Sequence, residues 1–178
     1  VAKNLRRFVQ ALLETGKVNS QLNGGLLTAI RSHATDLAEL LIQKGADVFV
    51  CDKLENNVIH LLLMYYPPRL RFSFLYFMEA HHRESLKELV NRKNLEGNTP
   101  LHLLLGRDAD ATTIQTLLSY GALINIPNNS GKTPQTLAQN RRILPLLFHS
   151  ENCGNGNVVG HESDYHGSGS VTRHSCCL

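Results

Sequence analysis

At 178 residues, 42% hydrophobic and without tryptophan, the chain is long enough for one domain and a tail. Residues 3–148 carry 17 Lys or Arg and 12 Asp or Glu, a net 17 − 12 = +5, whereas residues 149–178 carry one Arg and three acids, 1 − 3 = −2. The mild, scattered positive charge falls short of a nucleic-acid footprint. No apolar run approaches the roughly 18 residues of a membrane helix.

In chain order, Leu12-Leu13-Glu14-Thr15-Gly16-Lys17-Val18-Asn19 reads as the closing half of a helical unit whose opening half is missing. Leu26-Leu27-Thr28-Ala29-Ile30 predicts a first helix, with Gly24-Gly25 at its start. Leu40-Leu41-Ile42-Gln43-Lys44-Gly45-Ala46-Asp47-Val48 predicts a second helix closed by a left-handed glycine. Asn56-Asn57-Val58-Ile59-His60-Leu61-Leu62-Leu63 aligns with Asn98-Thr99-Pro100-Leu101-His102-Leu103-Leu104-Leu105, 42 residues on. Gly97-Asn98-Thr99-Pro100 returns 34 residues later as Gly131-Lys132-Thr133-Pro134, and Leu117-Leu118-Ser119-Tyr120-Gly121-Ala122 lies between the copies. A period of about 33 residues built from such pieces marks a turn-plus-two-helix repeat.

This pattern resembles the ankyrin-repeat family, over roughly residues 3–148 and most specifically in the third unit. Proline fits the first helical turn, where its missing N–H is no loss, and Thr99 fits the N-cap before it. A single unit cannot bury its apolar face, so stability comes from stacked neighbours. The expected fold is therefore all-α: an ankyrin-repeat solenoid of about four helix pairs, the first incomplete, over residues 1–148, with a disordered tail over 149–178. The layout runs as a half unit at 3–19, full units at 20–53, 54–95 and 96–129, and an abbreviated last unit at 130–148. Gln139-Asn140-Arg141-Arg142 gives that unit the polar character of a terminal cap, and Pro145 marks where regular helix falters.

The second unit is about nine residues longer than the repeat allows and collects Tyr65, Tyr66, Phe72, Phe74, Tyr76 and Phe77. Pro67-Pro68 ends its first helix. Its second helix is either Leu70–Met78, with the extra residues near His81–Ser85, or Ser85–Val90, with the extra residues before it. Most of these aromatics read as core, and Tyr65 and Tyr66 as the surface pair.

In the tail, Gly154-Asn155-Gly156-Asn157 and Gly167-Ser168-Gly169-Ser170 cannot bury enough surface to offset their ordering entropy. Cys153, His161, His166, His174, Cys176 and Cys177 are zinc-capable types, but their spacings match no compact site. Ser175 stands where a prenylation box needs cysteine; Cys176 and Cys177 are the lipidation candidates. Of four cysteines three lie in the tail and Cys51 in a repeat turn, which is no disulfide framework and points to a reducing, intracellular and cytoplasmic setting. There is no visible signal peptide.

No nucleophile elbow, phosphate loop or His-Glu-x-x-His appears, so no enzyme, cofactor or metal is expected. The resemblance makes His60 and His102 structural, their rings bonding the neighbouring turn, with Thr136 and Leu27 at the matching positions of the last and first units. It implies a monomeric adaptor that binds a protein partner, not nucleic acid, on its concave face. Carried onto this chain, the turn tips offer Lys53, Glu55, Asn56, Arg92, Asn94, Asn98, Asn129 and Lys132, and the first helices offer Arg31, Tyr65, Tyr66 and Arg107. Two alternatives stand beside it. One is a secreted effector of an intracellular microbe, acting in host cytoplasm and membrane-associated through its terminal cysteines. The other is a non-catalytic fragment of a larger enzyme.

Overall fold

The computed structural model describes residues 18–107, 110–141 and 143–148. Among these lie eight helices: α1 Val18–Arg31, α2 Thr35–Gln43, α3 Val58–Tyr65, α4 Pro68–Leu89, α5 Pro100–Gly106, α6 Ala111–Ser119, α7 Pro134–Asn140 and α8 Pro145–Phe148. They pair in sequence and stack in two rows. The inner row α1, α3, α5, α7 packs side by side, and α2, α4, α6, α8 form the row behind it. Among the described residues there is no strand, only an isolated bridge between Cys51 and Asn57.

The leucine pattern explains the core. Leu61 and Leu62 of α3 and Leu101, Leu104 and Leu105 of α5 are fully or almost fully buried between the rows. Each burial removes apolar surface from water at about 25 cal/mol per Å². Pro68, Pro100, Pro134 and Pro145 each open a helix, where the missing N–H costs nothing. Gly45 (φ 94°) and Gly121 (φ 88°) close α2 and α6 in the left-handed region.

Three expectations need correcting. The glycine pair does not start a helix: α1 runs through Gly24-Gly25 from Val18. A methyl on Gly25 would meet Leu41 at an ordinary 3.5 Å, so packing does not demand glycine there; the helix absorbs each at about 1 kcal/mol relative to alanine. In the second unit neither path is exclusive, because both candidate stretches lie in the single 22-residue α4. Its one departure from helical geometry is His82 (φ −139°, ψ 39°), and Phe74, Leu75 and Met78 before it are as buried as Leu86 and Leu89 after it. The inserted residues are thus helix, and not loop. Tyr66 is not a surface residue: it is 2% exposed and stacks on His33, ring centroids 5.3 Å apart. It is the C-cap of α3, with φ −84° and ψ 137°, so its side chain leaves the helical register that exposes Tyr65 and turns inward.

Most of the half unit at 3–19 and the tail from residue 149 lie outside the described residues, and with them the expected disorder, the tail's zinc-capable residues and the lipidation candidates Cys176 and Cys177.

Candidate partner-binding face

The turns between units repeat one hydrogen-bonding scheme. Asp52, Asn94 and Asn128 each accept two backbone N–H groups on one side-chain oxygen, from the residues two and four positions on. The position three after each is left-handed: Glu55 (φ 58°), Gly97 (φ 74°) and Gly131 (φ 72°). Glycine fits there without strain, and glutamate does not. Successive turns are joined by backbone bonds, Leu95 N–H to Leu54 O at 3.0 Å and Asn129 N–H to Glu96 O at 3.1 Å. Side chains join them again: Asn94 Nδ2 donates to Asn56 Oδ1 and Asn128 Nδ2 to Asn98 Oδ1, both at 2.8 Å.

Two histidines strap units together. His60 Nδ1 accepts the Asn57 N–H at 3.3 Å, which leaves the proton on Nε2 to donate to Asn98 O at 2.9 Å. In the next unit the Thr99 N–H and hydroxyl converge on His102 Nδ1 at 3.1 and 2.8 Å, and Nε2 donates to Lys132 O at 3.0 Å. Burial drives the His60 pKa down to about 4 and lowers that of His102, so both rings are neutral in the fold. This is the structural role that the resemblance implies. Thr136, at the matching position, bonds among the described residues only within its own unit, to Thr133.

Arginines make a second set of straps that the sequence reading missed. Arg107 Nη1 reaches back to Met64 O at 2.9 Å, and Arg141 to Gly106 O and Arg107 O at 2.9 and 3.0 Å. Each neutralises carbonyls at the C-terminus of the preceding inner helix, where the helix dipole favours a cation. The 34-residue spacing of Arg107 and Arg141 was the available signal. Tyr65 holds that register in the second unit, where it can form no such strap.

Two hollows open on this inner face, between the turns and the inner helices. The first, about 510 Å³, lies between α1 and α3. It brings together Arg31, Lys53, Asn56 and Tyr65, over Leu27 and Met64. The second, about 650 Å³, lies between α5 and α7 and gathers Asn98, Arg107, Asn129 and Lys132 around Leu103 and Leu137. Eight of the twelve candidate residues thus fall into two clusters. Glu55, Tyr66, Arg92 and Asn94 line neither. Asn94 and Asn56 are buried and committed to the turn ladder, so they shape the face more than they offer groups to a partner. Arg92 lies over the Phe49 ring at 6.0 Å. Sequence reasoning also missed Leu54 and Leu95, which are 58% and 52% exposed at adjacent turn tips.

Electrostatically, Arg31 pairs with Asp52 at 2.9 Å. Burial works to raise the Asp52 pKa, but hydrogen bonds from Asn56, Leu54 and Arg31 outweigh it, and the pKa falls below its ordinary value. Burial pushes the Cys51 thiol up, against any role as a nucleophile. Among the described residues no cluster of three His, Cys, Asp or Glu could hold a metal, and no helix is long and apolar enough to cross a membrane.

Residues 96–129, the unit with the complete turn, histidine and glycine set, match the family model for the ankyrin repeat. The chain is an ankyrin-repeat protein. It is 31% identical over 113 residues to the ankyrin repeat protein FPV031 of Fowlpox virus (strain NVSL), covering 63% of this chain and 31% of the viral protein. It is 28% identical over 123 residues to human transient receptor potential cation channel subfamily A member 1, covering 68% and 10%. It is 28% identical over 132 residues to the phosphocholine transferase AnkX of Legionella pneumophila, covering 69% and 12%. The chain spans less than a third of the length of each of these relatives. Ankyrin repeats generally bind protein partners.

Proposed function

We propose that this ankyrin stack is a non-catalytic adaptor that holds one protein partner on the inner face formed by the turns and α1, α3, α5 and α7. The observation that carries this reading is the pair of hollows, which collect Tyr65 and four cationic side chains from two turns and the ends of three inner helices. A stack fastened by histidine, arginine and asparagine bonds presents these groups with little ordering cost, which favours affinity. Tyrosine and arginine are the residue types that most often carry interface energy. Affinity capture tests it. A specific protein should be retained by the wild type and by an outer-face variant, Tyr76→Ala, and lost by Tyr65→Ala with Lys53→Glu. Equal capture by all three would contradict the proposal.

A second reading has the adaptor act inside a host cell, as the likeness to a poxvirus protein and a Legionella protein suggests. A translocation reporter fused to this chain in its native organism would detect delivery, and a signal confined to the producing cell would contradict it.

A further inference from the structure

The two hollows have a shared chemistry that specifies what they receive. The inner helices α1, α3, α5 and α7 contain no acidic residue. The acids of the described helices lie on the outer row: Asp36 and Glu39 on α2, and Glu79, Glu84 and Glu88 on α4. Each hollow is lined by one acid and two cations, and each acid is already engaged. Asp52 accepts from Arg31 and Asn56, and Glu96 accepts from Asn98 Nδ2. The ammonium groups of Lys53 and Lys132 have no partner among the described residues. Beneath each cation the floor is apolar: Leu27, Met64 and the Tyr65 ring in the first hollow, Leu103 and Leu137 in the second.

The first hollow is also the more apolar of the two. Tyr65 stands in the register of Arg107 and Arg141, so no guanidinium reaches from the end of α3 to the last carbonyls of α1 as those two do in the later units; the Arg31 guanidinium is held at the rim by Asp52. The hollows are two inner-helix spacings apart, roughly 20 Å at about 10 Å per packed helix pair. About six residues of extended chain cover that distance.

We propose that the inner face takes an extended acidic protein segment, with an apolar side chain seated against Tyr65 in the first hollow and carboxylates on Lys53 and Lys132. This rests on the inner-face reading above and adds the chemistry of the partner. Apolar contact supplies affinity, and the uncompensated lysines supply sign selectivity and speed of encounter.

The test is a selection from a random dodecapeptide display library on the full chain. Enriched peptides are then measured by fluorescence anisotropy against the wild type, Lys53→Glu with Lys132→Glu, and Tyr65→Ala, each checked for an unchanged thermal midpoint. The expected result is enrichment of Asp and Glu beside Leu or aromatic residues. Affinity should fall about tenfold or more in the charge-reversed variant and in Tyr65→Ala, and should weaken with added salt. Enriched peptides without an acidic excess that still depend on Tyr65 would overturn this inference and leave the inner-face reading standing. Peptides that bind all three proteins equally would overturn both. A library that yields no binder would overturn the segment chemistry proposed here.

Discussion

Between units two and three, His60 donates to Asn98 O and Arg107 to Met64 O. Between units one and two, Leu27 and Tyr65 hold the matching registers, and the links are instead ring contacts: His33 stacked on Tyr66 at 5.3 Å and Arg92 over Phe49 at 6.0 Å. One junction is closed by a buried, neutral histidine and an exposed guanidinium, each donating to a backbone carbonyl. The other is closed at its edge and left hollow over Leu27 and Met64. The difference teaches how this stack divides its labour: side-chain bonds to carbonyls across the later junctions hold the register, and the first junction leaves an apolar hollow.

The contrast can be broken most forcefully at its tight end. His60→Ala should cost about 2–4 kcal/mol in urea unfolding, because it orphans the buried Asn57 N–H, removes the strap to Asn98 O and leaves a cavity. The cost of His102→Ala should be smaller, about 1–2 kcal/mol, since its strap secures only the short last unit.

Acid should loosen the same junction. The His60 pKa is about 4 in the fold against 6.5 unfolded, so as pH falls below 6.5 the unfolded chain binds a proton that the folded one refuses. Its stabilising contribution is therefore complete above pH 6.5 and lost down to about pH 4, by roughly 3 kcal/mol. His102, shifted in the same direction, adds to this slope. Asp52, whose pKa is lowered, withdraws its contribution only as pH falls below the ordinary carboxylate value of 3.8, so the two effects separate. Urea midpoints at successive pH values should show the slope in the wild type and most of it gone in His60→Gln.

The turns sharpen the comparison on a finer scale. An added methyl at Gly97 would lie 2.4 Å from Asn129 Oδ1 and 2.6 Å from its backbone nitrogen, at φ 74°, so Gly97→Ala should cost 2 kcal/mol or more, estimated roughly from strain and the clash. Glu55 occupies the equivalent left-handed position in the first turn with a side chain, and Glu55→Gly should gain up to about 1 kcal/mol. Thermal melts of the two variants should move in opposite directions. The smallest effect belongs to the open junction: Tyr65→Ala, at a residue 40% exposed, should change stability by less than about 1 kcal/mol.

Much of this was legible in the sequence because the repeat writes its rules in residue identity. The histidines, the N-caps Asn57, Thr99 and Thr133, the helix-opening prolines and the left-handed glycines all carry their local geometry with them. Less was legible where geometry depends on a neighbour. That Tyr66 turns inward depends on His33, which is itself left-handed at φ 59°. The continuity of α4 depends on Phe74, Met78, Leu86 and Leu89 all finding core on either side of the His82 kink. At the site, the residues that gather were readable as turn and first-helix positions. The division of labour among them was not: Asn56, Asn94 and Arg107 look like surface polar residues in sequence, and their bonds to Asn94, Asn56 and Met64 O emerge only once the turns are stacked.

Hydrogen exchange on the complex with the captured partner tests the central claim most directly. The account predicts added protection in the turn amides at residues 52–56 and 94–98 and in α3 near Tyr65, with α4 residues 68–81 unchanged. Protection concentrated on α4, around the exposed Phe72 and Tyr76, with the turns unaffected, would contradict it.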